Sequence, residues 1–269
     1  MTATATAKFG LAALLAAFSV VGGAAYARSI TTPASPSPAV QENTAYNGRF
    51  IFVRLRYNMG YGGFGRGRRG YDPCNGREPW AHDYPCAEQN ITKLLSHITS
   101  AAPGVVGGNI IDIGDPELHK YPIAYMSEPG YWDMNDQEVA NMRSYVLKGG
   151  FLIFDDFPDD ALANFETQMK RMLPELEPIQ LTAEHRIFKA FFEFESLDDL
   201  YGGYQGRPVF LGYFLNNDPT QRMLAIVNFQ NDLGEKWEYA ERGFSVVGDA
   251  STEEAYKFGI NYIVYGLTH

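Results

Sequence analysis

Four bulky apolar residues in a row, Phe151-Leu152-Ile153-Phe154, stand between a glycine pair, Gly149-Gly150, and an acid pair, Asp155-Asp156. A strand apolar on both faces belongs inside a sheet that is covered on both sides, the usual condition of a parallel sheet. The glycines end a preceding helix, and the aspartates come where the strand should finish. Ligands of open α/β sheets bind just beyond the carboxyl ends of the strands. Asp155 and Asp156 are therefore the leading candidates for function. The alternative is that one caps the next helix and the other faces water.

The rest of the chain repeats strand–helix alternation in its first half. Arg49 to Tyr57 reads as a strand whose back half alternates with arginine, and 109–113 and 123–127 as two more. A helix with Ala87, Ile91, Leu94, Leu95 and Ile98 on one face follows Asp83-Tyr84-Pro85, where Asp83 or Tyr84 is the expected cap. Asn135 and Glu138 form a capping box ahead of an apolar face through Val139, Met142, Val146 and Leu147. Leu162 to Leu173 is a further amphipathic helix, 176–181 a further strand, and 208–215 with 222–229 a strand pair. Ser251 and Glu254 are the expected capping box of a C-terminal helix. The predicted fold is α/β, a three-layer sandwich on a mostly parallel central sheet, with antiparallel strands added in the C-terminal half.

Residues 1–27 have the form of a secretory signal: Lys8, an apolar run from Phe9 to Val21, and Ala25-Tyr26-Ala27 as cleavage site. Residues 28–46 are rich in Thr, Ser, Pro and Ala and read as a flexible linker, so a single domain is expected over 47–269. No later segment is apolar enough to span a membrane. The expected location is periplasmic or secreted. Net charge is −10, and −11 once Lys8 is removed with the signal. That balance disfavours nucleic acid and anionic membrane surfaces. Cys74 and Cys86 are the only cysteines. In an exported chain they are most simply one disulfide.

Gly60-Tyr61-Gly62-Gly63-Phe64-Gly65 spells a dinucleotide fingerprint after a strand, but arginines and Pro73 follow it rather than an apolar helix. The nucleotide reading fails on that context, and the arginines remain available to an anionic ligand.

The segments EPWAHDYP (78–85), SEPGYW (127–132), GGFLIFDDF (149–157), NDLGE (231–235) and AYKFGINYIVYGLTH (255–269) together resemble a bacterial domain-of-unknown-function family, DUF4159. The resemblance runs from about Arg49 to the last residue. It implies a fold similar to the class I glutamine-amidotransferase-like group, which is flavodoxin-like. Amidotransferases carry a nucleophilic cysteine on a turn after a central strand. Here that position reads Asp155-Asp156-Phe157, so glutaminase chemistry through a thiol is excluded. A His-Pro-Ile segment of related sugar-utilisation proteins is matched by His185-Arg186-Ile187, with arginine in place of proline.

Three chemistries compete for the remaining polar residues. A binding site would use Trp80, His82, Asp83, Tyr84, Glu128, Asp155 and Asp156 around a small polar or glycan ligand, or an envelope protein partner. A carbohydrate-directed hydrolase would need two carboxylates across a cleft, from among Glu128, Asp155, Asp156 and Glu235, with Tyr131, Trp132 and Trp237 near them. A metal-dependent hydrolase would draw on His82, Asp83, His185, Asp155, Asp156 and Glu128. No H-E-x-x-H, H-x-H or C-x-x-C spacing is present, so neither metal nor cofactor is assigned. No G-x-S-x-G elbow is present either. Binding ranks first and hydrolysis second. The segment 78–85, stiffened by Pro79 and Pro85, is expected to meet an anionic or polyhydroxylic ligand, with His82 as polar contact and Trp80 as stacking surface.

Overall fold

The computed structural model describes residues 42–60, 74, 76, 78–101, 103–198, 200, 204, 206–239 and 250–269. The expected signal, most of the linker and the arginine–glycine loop lie outside them. Alternation of strands and helices has produced a mostly parallel sheet of seven strands. In chain order its members are β1 (Phe52–Arg56), β3 (Gly108–Asp112), β4 (Ile123–Ser127), β6 (Phe151–Phe157), β7 (Ile179–Gln180), β8 (Val209–Phe214) and β9 (Met223–Phe229). Across the sheet the order is β3-β1-β4-β6-β9-β8-β7. The first five run parallel, and β8 and β7 add antiparallel pairings at one side. A short ribbon pairs β2 (Asn58–Met59) with β5 (Trp132–Asp133).

Both faces are covered. Leu55, Met126, Leu152, Phe154 and Val227 pack with Met142 and Val146 of α2 (Asp136–Leu147) and Phe165 and Met169 of α3 (Leu162–Met172). On the other face Phe52, Tyr125, Ile153 and Ile226 meet α1 (Cys86–Ile98), α4 (Leu233–Tyr239) and α5 (Ala250–Thr268) through Ile91, Trp237, Phe258 and Tyr262. At about 25 cal/mol per Å², each such large side chain contributes some 1.5–3 kcal/mol of burial. The capping box of α2 is present on both sides: Asn135 accepts from the amides of Gln137 and Glu138, and Glu138 accepts from the amide of Asn135. Gly149, at φ +121°, turns the chain into β6.

Several local expectations were displaced. Leu147 is exposed rather than buried. The strand expected over 176–181 contracts to two residues. α5 begins at Ala250, so Ser251 is helical and not its cap. Helix α1 starts at Cys86 with Pro85 before it, and Asp83 contributes only its carbonyl, which accepts from the amide of Ala87. The folded part also begins before Asn47. Asn43 exchanges hydrogen bonds with the backbone of Ile110, and Thr44 with the side chain of Asn109. These contacts cover edge strand β3, where unpaired backbone would otherwise face solvent.

Strand β6 departs from simple alternation at one residue. Phe154 pairs with Val227 and Phe157 with Phe229, three residues against two. Asp156, at φ +64°, is the extra residue of this bulge. It lets Phe157 join Phe154 in the same core layer and releases the Asp156 side chain from the sheet.

Candidate functional site

The carboxyl ends of β1, β4, β6 and β9 converge on one buried histidine. His82 is 5% exposed. Its Nδ1 donates to Asp156 Oδ2 at 2.5 Å and lies 3.4 Å from Glu128 Oε1. Its Nε2 has no hydrogen-bond partner among the described residues and stands 3.6 Å from Asp83 Oδ1 and 3.8 Å from Glu235 Oε2. The two nitrogens thus have different tasks: one is fixed by a carboxylate, and the other is open.

The segment carrying His82 is held from below by Arg54. This residue belongs to the half of β1 that alternates with arginine, and it is 1% exposed. Its guanidinium donates to Glu88, to the carbonyl of Trp80 at 3.0 Å and to that of His82 at 2.8 Å. The ion pair with Glu88 is fully buried, and Tyr125 lies under the guanidinium at 5.0 Å. Burial opposes the charge on Arg54, but Glu88 more than restores it, so the group stays a cation. A planar fork with several fixed donors suits this anchoring better than lysine would.

Backbone geometry at the site is unusual in a consistent way. Asp83, Glu128 and Asp156 have φ of +63°, +46° and +64°, and Gln230, before Asp232, has +59°. Each costs roughly 1 kcal/mol or more for a residue with a Cβ. Strained positions that recur around one centre mark a place held for a purpose other than stability.

The electrostatics follow from burial. Asp83 is pushed well above the usual carboxylate range, first by burial, then by the charges of Asp232 and Asp156, and by the Glu238 carboxyl within hydrogen-bonding reach. Two carboxyl groups in such contact need a proton or a cation between them. Asp232 is raised well above its ordinary value by burial, then by Asp156, Asp155 and Glu235. Asp155 is pushed up to about 7 by burial and by Asp156, against the pull of three donors. Those donors are Tyr125 Oη and the amides of Leu233 and Gly234, all meeting Oδ2. Asp155 therefore fastens α4 to β6, whereas Asp156 serves the site, where Ser127 and Tyr204 also donate to it. Gly234 leaves the room this needs: a Cβ there would lie 2.5 Å from Asp83 Oδ2.

Residues 52–267 match the model of a family described as Domain of unknown function (DUF4159). The chain belongs to that family. No curated protein matches the sequence. In this DUF4159 domain the expected residues His82, Asp83, Glu128 and Asp156 do come together. Asp155 adjoins them in a structural role. Trp80 is half-buried beside the site, with Arg56 6.0 Å from its ring.

Other expected site residues of the DUF4159 domain lie elsewhere. His185 is at the opposite end of the sheet, packed on Phe214 and on Tyr265, which itself packs on Phe151 at the start of β6. Its Nδ1 caps a short helical turn by accepting from Ile187. Trp132 and Trp237 are core residues, while Tyr84 is buried next to the site, its ring 6.0 Å from the Arg54 guanidinium. Asp232, Glu238, Tyr204 and the Arg54–Glu88 pair were not expected. The NDLGE segment, directly after an apolar strand, was the signal for Asp232; nothing local distinguishes the others. The disulfide Cys74–Cys86 is formed, tying the approach to segment 78–85 to the first residue of α1. Among the described residues no helix is long and apolar enough to cross a membrane.

Proposed function

We propose that this chain is an exported, flavodoxin-like domain that binds a small hydroxyl-rich ligand at the carboxyl end of its sheet. The observation that carries the ligand reading is the open Nε2 of a buried histidine whose other nitrogen is fixed by Asp156. Burying a polar nitrogen without a partner costs about 1–3 kcal/mol, which a ligand atom would return. Hydroxyl groups donate to carboxylates and accept from an imidazole N–H, so they satisfy this lining in either protonation state. An anion would meet Asp83, Asp156, Asp232 and Glu235 together, so of the two ligand chemistries expected from the sequence the polyhydroxylic one is kept. Half-buried Trp80 and Tyr131 offer apolar faces of the kind on which sugar rings stack.

Counting only the five parallel strands in chain order, the sheet runs 2-1-3-4-5, which supports the flavodoxin-like assignment. The disulfide supports export, since such bonds persist in oxidising compartments. A second reading, hydrolysis of a glycan, is favoured by one further observation. Asp83 and Asp232 hold their protons more tightly than ordinary carboxyl groups, as a general acid must.

The test is calorimetric titration of neutral and amino-sugar oligosaccharides into the wild type, His82→Ala and Trp80→Ala. Saturable binding weakened tenfold or more in both variants, with melting temperatures preserved, is the expected result. Unaltered binding in both variants, or large losses of stability with no selective loss of binding, would place the ligand elsewhere.

A further inference from the structure

We propose that His82 Nε2, Asp83 Oδ1 and Glu235 Oε2 form a site for one divalent first-row metal ion, Mn2+ or Zn2+. The proposal deepens the function above and rests on the crest around His82 being the functional site.

Three observations carry it. The ligand atoms of His82, Asp83 and Glu235 lie within 4.8 Å of one another. Nε2 stands 3.6 Å from Asp83 Oδ1 and 3.8 Å from Glu235 Oε2. Donors about 2.1 Å from a tetrahedral ion lie about 3.4 Å apart, so small side-chain movements would close the set. Second, the imidazole side chain is 7% exposed and Nε2 has no partner, while neither oxygen of the fully buried Asp83 meets an N–H donor. Third, the far nitrogen is already bonded to Asp156, the carboxylate–histidine arrangement that orients metal-ligating imidazoles and fixes their tautomer. A second grouping, His82 with Asp156 and Asp232, satisfies the same distance limit. It would use Asp156, which already holds Nδ1, so Nε2 and its neighbours are preferred.

Charge leads to the same place. Asp83 is faced by Asp232, Asp156 and Glu238, and Asp232 by Asp156, Asp155 and Glu235, while the buried guanidinium of Arg54 is committed to Glu88 and two carbonyls. A divalent ion among these acids would offset their repulsion. One imidazole with carboxylates suits Mn2+ or Zn2+ better than Mg2+ or Ca2+, which favour all-oxygen sets. The Glu235 side chain is 38% exposed. An ion there would keep a position open toward solvent, where a hydroxyl of the ligand could enter.

The experiment uses the full chain, treated with chelator and desalted, and Mn2+ alone as probe, followed by its paramagnetic resonance signal, with Zn2+ by calorimetry. The expected result is one ion per chain and a rise in melting temperature. Affinity should fall at least tenfold in Glu235→Gln, which touches a half-exposed side chain and leaves the fold intact, and further in His82→Gln. Absence of saturable binding of either ion, or affinity unchanged in both variants, overturns the proposal. The oligosaccharide titration is run on chelated and on Mn2+-loaded protein: saturable ion binding with no sugar binding in either form overturns the ligand reading alone, and sugar binding with no ion capture overturns the metal site alone.

Discussion

Asp155 and Asp156 are neighbours of one chemical type, and the bulge in β6 gives them separate work. All three donors to Asp155 meet Oδ2, so in Asp155→Asn the amide oxygen would serve them while the charge disappears. The folded-state pKa of about 7 lies above the ordinary 3.8. Folding then takes up a proton, and the stability from this group is full below pH 3.8 and lost as pH rises toward 7. Asp155→Asn should flatten that part of the stability profile, measured by urea unfolding in chelator, and stay within about 1 kcal/mol of wild type near pH 4. His185 gives the opposite slope. Burial lowers its pKa from 6.5 to about 4, so its contribution is full above 6.5 and lost as pH falls toward 4. In His185→Asn, which keeps an acceptor for the Ile187 amide, the decline of stability with rising pH should steepen between 4 and 6.5, in the same unfolding series. The sequence marked both aspartates, one for the site and one for structure, but not which was which. Side chains of an unbroken strand alternate, and only the positive φ at Asp156 shows that the strand is broken there.

The approach to α1 depends on a strand residue distant in sequence. Arg54 binds the carbonyls of Trp80 and His82, so its loss should act on stability and site together. Arg54→Met leaves Glu88 buried and unpaired, an expected cost of about 3–5 kcal/mol by urea unfolding. Arg54→Met with Glu88→Met should recover most of that stability, yet bind ligand or ion weakly because the two carbonyl anchors stay lost. Gly234→Ala, whose Cβ would meet Asp83 and Tyr125, should cost about 1–3 kcal/mol and disturb Asp83. The elements themselves were readable, because caps and apolar periods are local: the α2 capping box and strand 123–127 came out as expected. The buried pair was not readable. An arginine in a strand and a glutamate in a helix look like surface residues until the tertiary fold brings them together.

Six described residues with a Cβ have positive φ across the whole molecule; Asn216 and Asn217 turn the chain between β8 and β9, and the other four, Asp83, Glu128, Asp156 and Gln230, lie at the carboxyl end of the sheet. Each is a local cost that the rest of the sheet sustains. Glu128→Gly should accordingly raise the melting temperature while weakening ligand binding, an exchange of stability for function visible in parallel melting and titration series. That a site would form at the carboxyl ends of the strands was legible from the doubly apolar strand and its terminal acids. Its membership was not, since it draws on six stretches between residues 54 and 238. The same dispersal governs how the site comes into being. No fragment ending before β9 contains Asp232 or Glu235, and β9 pairs with β6 across 70 intervening residues and more. Such long-range pairings close late in folding. During refolding, occupancy of the site should therefore return with the slowest phase that restores the sheet, never with the early helical signal. A nascent chain on the ribosome would stay blind to its ligand until the last fifth of it had emerged.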